Sequence, residues 1–157
     1  MKLLLICVLT LSLLSPRRAI GAGQGAPSPA PDYSGMYSFL KDGEFMQITI
    51  EDKGAVSGFI SRYGDSETDK GSFLDQFFKS GELDGKDLRF MTETLHDVSY
   101  AFAGSFDRGP GKKPQEEGYY VLRGTLTRNH KGADGKTEIQ TRQVEFKSFP
   151  RDSDLTR

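Results

Sequence analysis

A seven-residue sequence pattern occurs three times along the chain and ends each time with an arginine. The pattern is an apolar residue, a glycine, a second apolar residue and an arginine, each separated from the next by one residue. It occurs at 56–62, 102–108 and 122–128, and ends at Arg62, Arg108 and Arg128. A guanidinium group binds a carboxylate through two parallel hydrogen bonds, so arginines that meet at one end of a fold could hold a carboxylate-bearing ligand. Alternatively, each arginine covers the edge of the core with its stem and keeps its charge in water.

The two histidines, His96 and His130, do not form a recognisable catalytic or metal-binding pattern. Neither has a partner at the spacing of a metal site or of a nucleophile motif. His96 precedes Asp97, but adjacent side chains on an extended chain point in opposite directions. We therefore predict a protein that is not an enzyme and needs no cofactor, with His96 as a candidate ligand contact in a loop.

Three carboxylates at alternate positions, Asp65, Glu67 and Asp69, are typical of the opening of a calcium-binding loop. The match fails further on, because Gly71 comes one residue late and Gln76 stands where a bidentate glutamate belongs. The pattern favours a solvated acidic loop. We predict no metal site, and these three carboxylates are the candidates if one exists.

Alternation of apolar and polar residues, interrupted by turn signals at short intervals, predicts an all-β fold. We expect an eight-stranded antiparallel up-and-down meander that closes as a barrel. The predicted strands are 33–40, 43–52, 55–63, 77–84, 86–94, 98–108, 117–129 and 137–149. Phe73, Leu74, Phe77 and Phe78 lie at helical spacing, which predicts a single helical turn over 72–78.

One phase of each strand is apolar and defines the predicted core. It consists of Met46, Ile48, Ile50, Val56, Ile60, Leu88, Phe90, Val98, Tyr100, Phe102, Phe106, Tyr120, Leu122, Leu126, Val144 and Phe146. An eight-stranded barrel is filled by its own side chains or holds one small ligand. Tyr100, Phe102 and Tyr120 are therefore further ligand-binding candidates.

Apolar residues also occur in the opposite phase, at Phe45, Phe59, Tyr119 and Val121. They could form an outer patch for a partner or for a covering segment, but scattered exposure is the common case.

Successive hairpins of a meander alternate between its two ends, so strand order places the loops. One rim is expected to gather the loops at 64–76, 94–97 and 130–136, together with Arg62 and Arg128. Arg108 belongs to the opposite end because its strand runs the other way. At most two of the repeated arginines can therefore share a ligand.

The ends of the chain carry targeting and linker signals. Lys2 and the short apolar run that follows predict a signal peptide over 1–22, and hence a secreted or periplasmic protein without a stable membrane anchor. The predicted organisation continues with a flexible Pro/Gly-rich lead-in at 23–31, a barrel domain at 32–150 and a polar tail at 151–157. The single cysteine, Cys7, lies in the signal, so no disulfide is expected.

Charge argues against nucleic acid as a partner. Cleavage of the signal leaves 18 of the 21 basic residues against 22 acidic ones, a net charge near −4.

The small size, the meander and Gly35-Met36-Tyr37, where lipocalins carry Gly-x-Trp, resemble the calycin group, which includes lipocalins and avidins. The chain has no tryptophan, so those that line an avidin biotin site are missing, and no family binding residue is carried over. The resemblance implies binding of a small apolar molecule or, in some secreted bacterial members, inhibition of a protease.

We therefore expect a secreted binding protein that holds a small apolar or carboxylate-bearing ligand in the barrel or at its mouth. The alternative is a protein-interaction module, or a protease-inhibitor-like barrel with a filled core that acts through its rim loops. A hydrolase or isomerase with an unrecognised site is the third interpretation. Oligomeric state is not determined by the sequence.

Overall fold

The computed structural model describes residues 31–64 and 69–151. The predicted signal peptide, the lead-in before Pro31 and the tail after Arg151 lie outside the described residues, so these boundaries remain predictions. In the two described ranges, no helix is long and apolar enough to cross a membrane.

Eight antiparallel strands follow one another in a single meander, and each strand pairs with its neighbours in the sequence. They are β1 (Gly35–Ser38), β2 (Phe45–Ile50), β3 (Val56–Tyr63), β4 (Phe73–Asp84), β5 (Asp87–Thr92), β6 (Val98–Arg108), β7 (Tyr120–Lys131) and β8 (Thr137–Lys147). One turn of 3-10 helix, Asp52–Gly54, connects β2 to β3. This arrangement confirms the predicted all-β, up-and-down fold.

The sheet curls until its first and last strands meet. Tyr37 of β1 forms a bridge with Ser148, the residue after β8. The backbone N–H of Phe149 donates to the carbonyl of Met36 over 2.8 Å. Because β1 has only four residues, this contact joins one end of β8 and leaves the barrel open beside the other.

Two facing glycines allow β6 and β7 to approach closely where the sheet coils. Gly104 and Gly124 are register partners. A Cβ added to Gly104 would lie 2.2 Å from the carbonyl oxygen of Arg123 and 2.7 Å from the Cα of Gly124. The ring of Phe102 packs over both glycines, since it would lie 2.5 Å and 2.8 Å from the two added Cβ atoms. The recurring glycines thus provide space for an aromatic ring.

Aromatic side chains fill the interior in a continuous stack. The ring centres of Phe78 and Phe90 lie 4.3 Å apart, and those of Phe90 and Phe102 lie 5.3 Å apart, in both cases with nearly parallel rings. Phe146 continues the row from Phe102 at 5.9 Å and contacts Phe39 at 5.3 Å. The interior is therefore occupied by the protein's own rings.

The predicted core is largely confirmed. All of its members are buried except Ile50, Tyr120 and Val144, which are partly buried and pack against it. The buried aromatic residues Tyr37 and Phe39 are additional. They belong to the short β1 and the turn after it, where the alternation is too brief to read.

The predicted helical turn at 72–78 is wrong, because this segment belongs to β4. Phe77 pairs with Phe59 and Gln76 pairs with Ile60 of β3. The spacing of the aromatic residues resembles a helix only because Phe73 and Phe77 lie on the outer face while Phe78 reaches the core. Pairing with β3 decides the conformation, as tertiary context often overrides local pattern.

We expect Gly104→Val to destabilise the barrel by about 3 kcal/mol, because the new side chain meets backbone that cannot move independently. Urea unfolding followed by circular dichroism measures the change. Ala103→Val, which adds methyl groups at the exposed neighbouring position, should change the free energy of unfolding by less than about 0.5 kcal/mol. Equal effects of the two substitutions would contradict the close approach of β6 and β7.

Ionisation of the Tyr37 phenol makes the free energy of unfolding depend on pH in the alkaline range. Burial raises the pKa of its phenol far above the ordinary value, and Arg151 opposes this shift only in part. An unfolded tyrosine ionises near pH 10, at about its ordinary pKa. Above that pH the unfolded chain loses a proton that the folded Tyr37 keeps, so the free energy of unfolding falls as pH rises. We expect Tyr37→Phe to make the decline of unfolding free energy above about pH 10 less steep. An unchanged slope in urea titrations would exclude Tyr37 as its source.

Candidate functional site

A pocket of about 330 Å³ opens at the end of the barrel where β3, β7 and β8 meet the turn between β1 and β2. This mouth pocket is lined by Leu40, Lys41, Glu44, Arg62, Tyr63, Tyr100, Arg128, Gln140 and Arg142. The described residues contribute four basic side chains and one carboxylate to this lining. Arg62 and Arg128, which strand order predicted to share a rim, both line it.

Strand register explains why these side chains converge. Tyr100 of β6, Arg128 of β7 and Gln140 of β8 are consecutive register partners and form one row across the sheet. Arg142 pairs with the buried Leu126 and therefore lies on the same face, one step nearer the core.

Arg62 forms the floor of the mouth pocket and is only 2% exposed. Its Nε donates to the side-chain oxygen of Gln76, and its Nη1 donates to the carbonyl of Tyr63, both over 3.2 Å. The guanidinium also lies 5.7 Å from the centre of the Tyr100 ring. These contacts fix the position of a cation that would otherwise be costly to bury.

Gln76 anchors this arrangement although it is itself 1% exposed. Its amide nitrogen donates to the carbonyls of Glu93 and Val98, both over 2.7 Å, and contacts the hydroxyl of Thr92 at 3.0 Å. The side chain thereby connects β4 to the β5–β6 connection and presents its oxygen to Arg62. Sequence analysis missed this role because it assigned Gln76 to a helical turn.

The carboxylate of the mouth pocket is occupied by the local backbone. Glu44 accepts hydrogen bonds from the N–H groups of Lys41 and Tyr63, both over 3.1 Å. The ammonium of Lys41 lies 4.0 Å from the same carboxylate. Glu44 therefore ties the β1–β2 turn to β3.

The other predicted site residues lie elsewhere. Phe102 is part of the filled interior, and Tyr120 packs 4.9 Å from Tyr33 at the opposite end. Arg108 also lies at that end, with its guanidinium 3.3 Å from the centre of the Tyr119 ring. Of the six predicted ligand contacts, the structure thus brings together Arg62, Arg128 and Tyr100.

His96 contacts a carboxylate on a neighbouring loop and does not line the mouth pocket. Its Nδ1 lies 2.5 Å from the buried carboxylate of Asp69. Asp65 and Glu67 lie outside the described residues. Among the residues that the structure describes, no three side chains of metal-ligating type form a cluster.

A row of aromatic rings, rather than scattered residues, covers the outer face of β2, β3 and β4. Phe45 and Phe59 lie 6.0 Å apart, and Phe77, Phe73 and Tyr63 continue the row at spacings of 5.0 to 6.1 Å. Phe77 is 57% exposed and Phe73 is 47% exposed.

Val121, in contrast, is fully buried. The chain at Gly109 covers it, since a Cβ there would lie 2.4 Å from Val121.

No protein-family model and no curated protein matches this chain. Solved structures of avidin-type proteins do match its fold. A rhizavidin–biotin complex is 16% identical, covers 73% of this chain and 98% of its own, and has a TM-score of 0.54. Apo short afifavidin is 16% identical, covers 76% and 97%, and has a TM-score of 0.55. The chain has a calycin-like fold. This confirms the resemblance at the level of architecture.

We expect Gln76→Leu to destabilise this calycin-like barrel by about 3 kcal/mol, because it removes the side-chain acceptor of the buried Arg62 and a donor to the carbonyls of Glu93 and Val98. Thermal and urea unfolding measure the loss. Gln143→Leu provides a matched control, since Gln143 is exposed and its side-chain amide donates to the hydroxyl of Thr125 on the surface. A Gln76→Leu protein as stable as this control would show that the buried network contributes nothing.

Proposed function

We propose that the protein is a secreted, non-catalytic binding protein that holds a small carboxylate-bearing ligand at the mouth of its barrel. The convergence of Arg62, Arg128 and Arg142 on the mouth pocket carries this proposal. Arginine guanidinium groups match the geometry of a carboxylate, and a partly desolvated pocket strengthens such contacts. Secretion rests on the predicted signal peptide.

The mouth is favoured over the interior as the location of the ligand. Phe90, Phe102 and Phe146 are almost completely buried and pack against one another inside the barrel. A ligand enclosed in the barrel would have to displace these rings, at several kcal/mol each. An apolar ligand is therefore disfavoured relative to one whose carboxylate meets the arginines while the rest of the molecule faces solvent.

The alternative function is protein binding, with inhibition of a protease as one form. The filled interior supports it, as does the exposed aromatic row that includes Phe73 and Phe77. Contiguous apolar surface of this kind often marks a contact site. Bound small molecules distinguish the two proposals, because a protein-binding module does not require one.

The test is native mass spectrometry of the full chain after processing in its secretory host, followed by denaturing extraction. We expect a carboxylate-bearing adduct on the wild-type protein and its loss from Arg128→Ala. In titrations with the extracted molecule, that substitution should weaken binding at least about tenfold, as expected for a charge-assisted pair. Biotin is a sensible added probe, since it carries a carboxylate and rhizavidin has been crystallised with it.

The matched control is Arg123→Ala. Arg123 lies on the outer surface and pairs with Glu145 over 2.8 Å, so the adduct should remain. An adduct that survives Arg128→Ala would argue against the mouth pocket. A clean apo mass together with no binding of biotin or of other small carboxylates would favour the protein-binding alternative.

A further inference from the structure

More than half of β8 forms an exposed edge strand. β8 pairs with β7 along its whole length, but on its other side the described part of β1 meets it only at its carboxyl end, where Lys147 donates to the Ser38 side chain and Ser148 forms a bridge with Tyr37. From Thr137 to Gln143 every residue is exposed. Proteins usually cover or interrupt such edges, because an unpaired strand recruits another strand.

The direction of the backbone groups along this edge follows from the neighbouring hydrogen bonds. The N–H of Ser148 donates to the carbonyl of Tyr120, toward β7, whereas the N–H of Lys147 donates to the Ser38 side chain on the other side. Because these directions alternate along a strand, odd-numbered residues of β8 face away from β7. The N–H and C=O groups of 137, 139, 141 and 143 therefore point to the open side.

We infer that this edge pairs with the same edge of a second copy of the chain, in antiparallel orientation about a two-fold axis. The odd-numbered residues of both copies would then exchange hydrogen bonds and extend the sheet across the dimer. The inference concerns the assembly and does not depend on the proposed ligand.

Charge selects the register of this pairing. On the inward face of the edge, Glu138, Gln140 and Arg142 alternate with residues of the outward face. A two-fold axis at Gln140 places Glu138 of each copy opposite Arg142 of the other, and both pairs are attractive. An axis at 138 or at 142 instead places two like charges opposite each other, which destabilises a strand pair.

The paired edges lie beside the mouth pocket, because Gln140 and Arg142 line that pocket. Glu138 accepts a hydrogen bond from the Gln140 side chain over 2.7 Å, so its carboxylate already lies on this face. In the dimer, Glu138 of the second copy would approach Arg142 and add an acidic group to the rim of the pocket.

Pairing along this short edge buries less surface than a standard interface, which covers about 800 Å² per partner. We therefore expect a dissociation constant in the micromolar range. Sedimentation and native mass spectrometry of the full chain should show a monomer–dimer equilibrium. Glu138→Arg and Arg142→Glu each create two like-charge pairs and should each raise the dissociation constant about tenfold or more. An equimolar mixture of these two variants restores opposite charges and should form a heterodimer with close to wild-type affinity.

Ile139→Pro tests the backbone contact independently, since it removes an N–H that faces the second copy and leaves the hydrogen bonds to β7 intact. A folded Ile139→Pro protein, as judged by circular dichroism, should also dimerise at least about tenfold more weakly. A wild-type protein that stays monomeric up to about 1 mM overturns the inference. So does a dimer that is insensitive to both charge variants, which would assign the contact to another surface such as the aromatic row, or a mixture that fails to restore association.

Discussion

The contact between Gly104 and Gly124 is the constraint on which the rest of this barrel depends. Two backbones approach there with no Cβ between them, and the ring of Phe102 occupies the space above both glycines. Close approach at this point allows β6 and β7 to coil, and the ring replaces the apolar contacts that side chains would have made. Phe102 then serves as the surface against which Phe90 and Phe146 pack.

Filling the interior with rings determines where polar chemistry can occur. Near the mouth, the inward phase changes from aromatic rings to the polar side chains of Arg62, Arg128 and Arg142. A guanidinium at this depth requires hydrogen-bond partners, and Gln76 supplies one while it holds two carbonyls of the neighbouring connection. The mouth pocket is thus a consequence of the packing below it, because the core provides a rigid floor for its charges.

The brevity of β1 has the opposite effect on the other side of the barrel. Four residues are enough to join the two ends of the sheet through Tyr37, but they leave more than half of β8 uncovered. The opening gives solvent access to Arg142 and exposes the backbone of the strand. The proposed ligand site and the proposed dimer contact therefore have the same structural origin, a first strand too short to cover the last.

Much of the architecture could be predicted from the sequence because it depends on local period. Alternation along each strand identified the core, and strand order alone placed Arg62 and Arg128 at one end and Arg108 at the other. Arg142 could have been found in the same way, since it continues the phase of Phe146. Gln76 could not, because its environment consists of carbonyl groups from residues distant in the sequence.

The sequence by itself determined the alternation, the positions of the turns and the glycines that permit curvature, since all three are properties of a few consecutive residues. Only the tertiary structure decided that the segment after Ser72 is a strand and that outer aromatic residues form a row. It also decided that the interior is filled and that β8 keeps an uncovered edge. These features depend on pairing across strands and on the volume left inside the closed sheet, which no local pattern specifies.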